Sequence, residues 1–319
     1  EEDALLTATA AAMPGDTLQL KPGIHWISTF LQIDKPLRIK AETGGAATVI
    51  ISSSSCVLRT CASVHLHSLT LCQIGTERSR SYDQNAVIIV TSSFLLMEHC
   101  RITCGIAAGS SVVTDPIVDE MLYAFEGTPV PAEPWLQLPP LQLRTFDEVN
   151  VQRYGPRIGV MVCPCANVTL RYNTIACCAG PGIKVTRGRL LAERNTIAFS
   201  RCGANVVSNN GRVVLKNNRI HEAQGDGVTL WNRSSAEFQC NIIHSNFGKG
   251  IAVHASAGQI KVIQNSFYDN TEAAVQFTTL LTDSVIFGEG CQANDWSRNV
   301  AGGVQCFEDC FVIRRQPRR

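Results

Sequence analysis

Aromatic residues make up only 7% of this 319-residue chain and charged residues 17%. Neither a large aromatic core nor a densely charged surface organises it. Lys and Arg number 28 against 27 Asp and Glu, a net charge of +1, which argues against non-specific nucleic-acid binding as the main activity. No apolar run approaches the roughly 20 residues of a membrane span, and the opening Glu1-Glu2-Asp3 is no signal peptide. Neither a nucleic acid nor a membrane is therefore an expected partner. Long stretches of apolar residues at helical spacing are missing too, which excludes leucine-rich and helical repeats.

Cysteine is plentiful, at fourteen, but its placement excludes the usual uses. Cys177-Cys178 and Cys163-Pro164-Cys165 are too close for ordinary mutual disulfides. Cys100/Cys104 and Cys306/Cys310 stand alone, with no His at finger spacing, so no metal site is expected. The pattern reads as small buried thiols in a reduced, intracellular protein, cytoplasmic or nuclear. Asn167-Val168-Thr169 and Asn232-Arg233-Ser234 match the glycosylation triplet, which arises often by chance. No nucleophile elbow, Walker loop or dinucleotide fingerprint is found, so no cofactor is expected.

What the chain does have is a repeat. Asn173, Asn195, Asn218, Asn241 and Asn265 are each followed two residues later by Ile or Phe. Nine residues after each Asn stands a small residue that opens an apolar run: Gly182, Ala204, Gly227, Gly250 and Ala274. The Asn-to-Asn steps are 22, 23, 23 and 24 residues. Within each copy apolar residues alternate with period two, as in Ile183/Val185, Val228/Leu230 and Ile251/Val253, which is strand periodicity. Three short strands in twenty-odd residues (for the third copy, about 212–216, 218–221 and 227–231) make one turn of a right-handed parallel β-helix. The expected fold is all-β, a solenoid of about 22–24 residues per coil. The Asn residues then form an internal ladder at a tight corner, where Asn tolerates left-handed backbone and its amide satisfies neighbouring coils. Asn205 departs from the pattern, standing where other copies have Ile or Val.

Earlier segments read as less regular coils: 64–71, 86–90 and 94–102, where Cys100 replaces the Asn. Residues 1–20 are expected to form an N-terminal cap with a short helix that covers the open end of the first coil. Regular coils occupy 165–280, and 281–319 forms a closing cap with a basic tail at Arg314, Arg315, Arg318 and Arg319. Residues 105–157 hold seven of the thirteen prolines, with Tyr123, Phe125 and Trp135. They are expected to be an insertion between coils and a candidate binding element.

Aligning the copies by their Asn brings His221, Glu222, His244, Tyr268 and Asp269 into one outward strip, with Trp231 and His254 nearby. Coils lie about 4.8 Å apart, so these side chains can touch. They are the candidate binding residues. A carboxylate acid or base with Trp231 as a sugar platform is the enzymatic reading, and a polar face with stacked imidazoles is the plain one. Asp226 in Gly225-Asp226-Gly227 reads as a turn residue, and no column holds two adjacent acids.

The run from Asn173 to Phe277 resembles the parallel-β-helix repeats sometimes called the carbohydrate-binding and sugar-hydrolase domain. It is especially similar to the non-enzymatic β-helices of eukaryotic F-box proteins, with a related form in the Shc-binding protein and nessun dorma group. Met13-Pro14-Gly15-Asp16 through Ile39 resembles the segment with which these β-helices begin. The resemblance implies a non-catalytic interaction scaffold that binds a protein partner, in an F-box protein the substrate-recruiting part of a ubiquitin ligase. The competing expectation is a β-helix that binds or degrades a polysaccharide, with a glycan as partner.

Overall fold

A computed structural model describes residues 3–42, 48–52, 54–73, 85–104, 158–200, 203–254, 258–278, 285–288 and 293–306. Strands of three to five residues succeed one another along the chain and stack into three parallel sheets of ten, nine and ten strands. Every third strand joins the same sheet, so each coil contributes one strand to each side. This is the expected right-handed parallel β-helix.

The strands form where apolar residues alternate. In the first sheet, Asn167–Arg171, Arg189–Glu193 and Arg212–Lys216 each bury their second and fourth residues and expose the others to differing degrees. The inward columns are aliphatic, with Phe238, Phe267 and Phe277 filling the last coils. At about 25 cal/mol per Å², such continuous burial supplies the main drive for stacking. Among the described residues, six buried ones are cysteines: Cys56, Cys72, Cys100, Cys104, Cys177 and Cys178. Burial pushes the Cys56 thiol up to about 11 and the Cys100 thiol to about 12, so both behave as small apolar groups.

Corners are made by left-handed residues in three columns. Tyr172, Arg194, Asn217, Cys240 and Gln264 have φ of 54–56°. Cys177, Phe199, Glu222, Ser245, Asp269 and Arg298 form the second column, and Arg187, Asn210 and Asn232 the third. The first column corrects the expected role of the ladder: the left-handed residue is the one before each Asn, not the Asn itself. Left-handed backbone costs a non-glycine residue roughly 1–2 kcal/mol, and the buried amides offset it. Each ladder Asn donates its backbone and side-chain N–H to the Oδ1 of the Asn one coil on, at 2.9–3.0 Å, from Asn173 to Asn265. Asn294 continues the ladder, and Cys100 joins its other end through its backbone N–H.

The second copy is also corrected. Val206, not Asn205, pairs with Ile183 and Val228, so the inner step is ten residues there and Asn205 occupies the small-residue column. Its amide is fully buried and used: Oδ1 accepts from the Ser200 N–H, and Nδ2 donates to the His221 carbonyl at 2.8 Å. The extra residue is accommodated beside Gly203, at φ 83°.

At Gly227 that column leaves no room for a side chain. A Cβ on Gly227 would lie 2.7 Å from the Gly250 carbonyl oxygen and 2.8 Å from Ile243 Cγ2. Gly227→Ala is therefore expected to destabilise the protein by about 1–3 kcal/mol, read as a lower urea midpoint at unchanged slope.

At the N-terminus, helix α1 (Ala4–Ala11) places Leu5 in the main core. Asp3 anchors it by accepting from the Ser28 N–H at 2.7 Å and hydroxyl at 2.6 Å. Further along, the strand Ile158–Val162 pairs in register with Ala86–Val90. The coil that begins at 158 therefore stacks directly on the coil before 105–157. Those residues, with Tyr123, Phe125 and Trp135, lie outside the described residues, as does the basic tail.

Candidate ligand groove

The strip expected from the repeat is assembled, but its two histidines are not on the surface, while Glu222 and Tyr268 are half-buried and Asp269 is exposed. His221, His244 and Tyr268 are register partners in one column. Their rings stack, with centroids 4.9 Å apart at 6° for the two imidazoles and 4.7 Å at 10° for His244 and Tyr268. Yet His221 is 1% exposed and His244 6%. The column runs on through Ala198, Ala176, Thr103 and Cys72, all buried, and Phe199 closes edge-on against His221.

Each imidazole is held by neighbours. His221 Nδ1 lies 2.6 Å from Glu222 Oε2, while its Nε2 has no partner. Arg219 Nε donates to His244 Nε2 at 3.1 Å, which leaves Nδ1–H to donate to Ser245 Oγ at 2.9 Å. Burial first, then the His221 and Arg219 charges, push His244 down to about 4 against a weaker pull from Glu222. A neutral ring with both nitrogens occupied is a packing element, not a surface base. Asp269 pairs with Arg298 at 3.3 Å, and that guanidinium covers Tyr268.

Concavity is found one sheet away. Trp231 and His254, both expected near the strip, stand on the outer side of the third sheet, and their rings stack at 4.1 Å and 14°. They border a groove of about 360 Å³ that also includes Val207, Asp226, Thr229, Phe247 and Glu272. Trp231 is 42% exposed and Phe247 55%. Lys249 Nζ reaches Glu272 Oε2 at 2.8 Å and Asp226 Oδ1 at 3.8 Å. Asp226 also accepts from the Lys249 N–H at 2.9 Å and the Thr229 hydroxyl at 3.2 Å. His254 Nδ1 meets Thr278 Oγ1 at 3.1 Å, and burial lowers its pKa against the pull of Asp226.

Residues 144–301 match the family model for a right-handed β-helix region. This is a β-helix repeat domain. A search of curated proteins gave no match. Among solved structures, the Dettilon tailspike protein gp208 is 12% identical with a TM-score of 0.51, and the alignment spans 97% of this chain but 65% of the tailspike. The A-module of Azotobacter vinelandii mannuronan C-5 epimerase AlgE6 is 12% identical with a TM-score of 0.41, over 98% of this β-helix and 94% of that chain. Periplasmic alginate epimerase AlgG is 14% identical with a TM-score of 0.38, over 98% and 82%. At such identities the likeness is one of fold.

Asp226, Lys249, Glu272 and Phe247 were missed as site residues of the β-helix. The signal for two of them was present in the repeat: Asp226 and Lys249 each directly precede the small residue of consecutive copies, Gly227 and Gly250. That register puts opposite charges one coil apart. Glu272 lies one position out of that column and Phe247 two, so neither could be found by alignment alone.

Proposed function

We propose that this β-helix binds a glycan in the groove beside Trp231, without transforming it. The observation that carries the reading is that two exposed aromatic side chains, Trp231 and Phe247, line one concavity with two carboxylates, Asp226 and Glu272, which share the ammonium of Lys249. A pyranose presents apolar C–H faces and hydroxyl edges. It therefore needs rigid apolar rings and fixed donors and acceptors side by side. Asp226 is occupied by one ammonium, one N–H and one hydroxyl, which suits orienting hydroxyls better than transferring protons.

The test is a glycan array with the whole chain, followed by titration of retained oligosaccharides. Trp231→Ala and Phe247→Ala are each expected to weaken binding about tenfold, the effect of losing one well-packed aromatic contact, with unfolding midpoints unchanged. The F-box-type recruiting role implied by the sequence resemblance predicts otherwise: no glycan retained, and a protein partner on this face. Absence of any retained glycan, or binding indifferent to both substitutions, overturns the proposal.

A further inference from the structure

Next to the groove, at the corner where the third sheet turns toward the first, lies a second concavity of about 380 Å³ lined by Thr186, Arg187, Asn209, Asn210, Asn232 and Arg233. Register joins the two. Thr186, Asn209 and Trp231 are partners in one column on consecutive coils, and Asn232 and Arg233 directly follow Trp231. Left-handed backbone at Arg187, Asn210 and Asn232, with φ of 52–54°, stacks these corner residues one coil above the next.

The chemistry of this corner has one sign. Among the described residues no carboxylate lines it, and neither guanidinium has an ion-pair or side-chain hydrogen-bond partner. Arg171, Lys216, Lys249 and Arg298 each meet a carboxylate, whereas Arg187 and Arg233, like Arg189 and Arg212 on the neighbouring strands, meet none among the described residues. Asn232 Nδ2 donates to Asn209 Oδ1 at 2.6 Å, which holds the floor, and the Asn210 amide is left available. Two planar guanidiniums and an amide present many N–H donors and no competing acid. Arginine forks match the paired oxygens of a carboxylate or sulfate.

We infer that this corner is an anion-binding subsite continuous with the Trp231 groove, and that the glycan is an acidic one bearing carboxylate or sulfate groups. The inference rests on the glycan reading and adds the class of ligand. Sugar rings would pack by Trp231 while an acidic substituent reaches Arg187 and Arg233.

The experiment is calorimetric titration of the whole chain with three matched oligosaccharides, one neutral, one carboxylated and one sulfated, at low and high salt. Variants are Arg187→Gln, Arg233→Gln and the double substitution, with Arg→Lys at both positions to keep charge while losing the fork. Acidic ligands are expected to bind at least tenfold more tightly than the neutral one, to lose about tenfold with each Gln substitution, and to weaken with salt. Neutral-ligand affinity is expected to be unchanged by every Arg variant and reduced by Trp231→Ala. The carboxylated and sulfated arms identify which anion is read. Equal binding of neutral and acidic ligands, or acidic binding indifferent to the double Gln variant, overturns this inference and leaves the glycan reading standing. Absence of binding by all three ligands overturns both.

Discussion

Asn218→Ala is expected to cost about 3–5 kcal/mol, from two or three buried groups left unpaired at about 1–3 kcal/mol each. Asn218 Oδ1 accepts both the backbone and the side-chain N–H of Asn195, and its Nδ2 donates to the Ala192 carbonyl at 2.8 Å and to Asn241 Oδ1. Alanine removes all four bonds and leaves the Asn195 N–H and the Ala192 carbonyl without partners in a site that is 1% exposed. Water cannot replace them, because the corner is closed by the coils on either side. The cost spreads, since the left-handed residues at Arg194 and Asn217 are maintained by the same bonds. Urea unfolding checks it: a large fall in midpoint at unchanged slope is expected. A loss below about 1 kcal/mol would show that the ladder follows from stacking and does not stabilise it.

Acidification is expected to remove about 3 kcal/mol through His244 alone, from a fall of its pKa from 6.5 to about 4 at roughly 1.36 kcal/mol per unit. The sign follows from burial. The folded state resists protonating this ring, while the unfolded chain takes the proton near the ordinary value. The contribution is therefore fully present above pH 6.5 and is lost progressively as pH falls from 6.5 to about 4. His221, Arg219 and Glu222 face the ring, and of these only Glu222 favours its charge. His244→Phe keeps an aromatic ring between His221 and Tyr268 but cannot titrate. Its unfolding free energy is expected to lose about 3 kcal/mol less than wild type across that window. Parallel pH profiles for the two proteins would show that the imidazole is not where the proton binds. The exposed Arg219 loses an acceptor in this variant and turns to water, so the comparison at pH 8 is expected to be mild.

These two effects divide the molecule. The ladder belongs to the inside of a corner, and His221 and His244 to the outer side of a sheet, where they are nonetheless buried. The two proposals place the ligand elsewhere, from Glu272 and Asp226 past Trp231 to Arg187 and Arg233. Both proposals are tested there by substitutions of exposed side chains, which separate binding from stability.

Particular residues show what could be read in advance. Cys100 was legible as a ladder position without its Asn, because the Ile two residues on kept the corner's spacing. Val228 and Leu230 were legible as inward, because only period-two apolar residues fill a coil. The second ladder, Asn246, Asn270 and Asn299, with Nδ2 to Oδ1 distances of 2.9 and 2.8 Å, was not. Ser200 and Ala223 interrupt its column in earlier copies, and Asn205 substitutes for it from a different position. Tyr172, Arg194, Asn217, Cys240 and Gln264 share no chemistry, so their common left-handed backbone left no trace in residue type.

The solenoid, its coil length and its columns follow from the repeat alone, because each coil must bury an apolar strip and repeat its corner. Which outward columns meet solvent emerges only from the packed coils. Rings on neighbouring coils cover His221 and His244, while Trp231 and Phe247 stay exposed beside the groove. Stacking also brings Lys249 to both Asp226 and Glu272, from three successive coils.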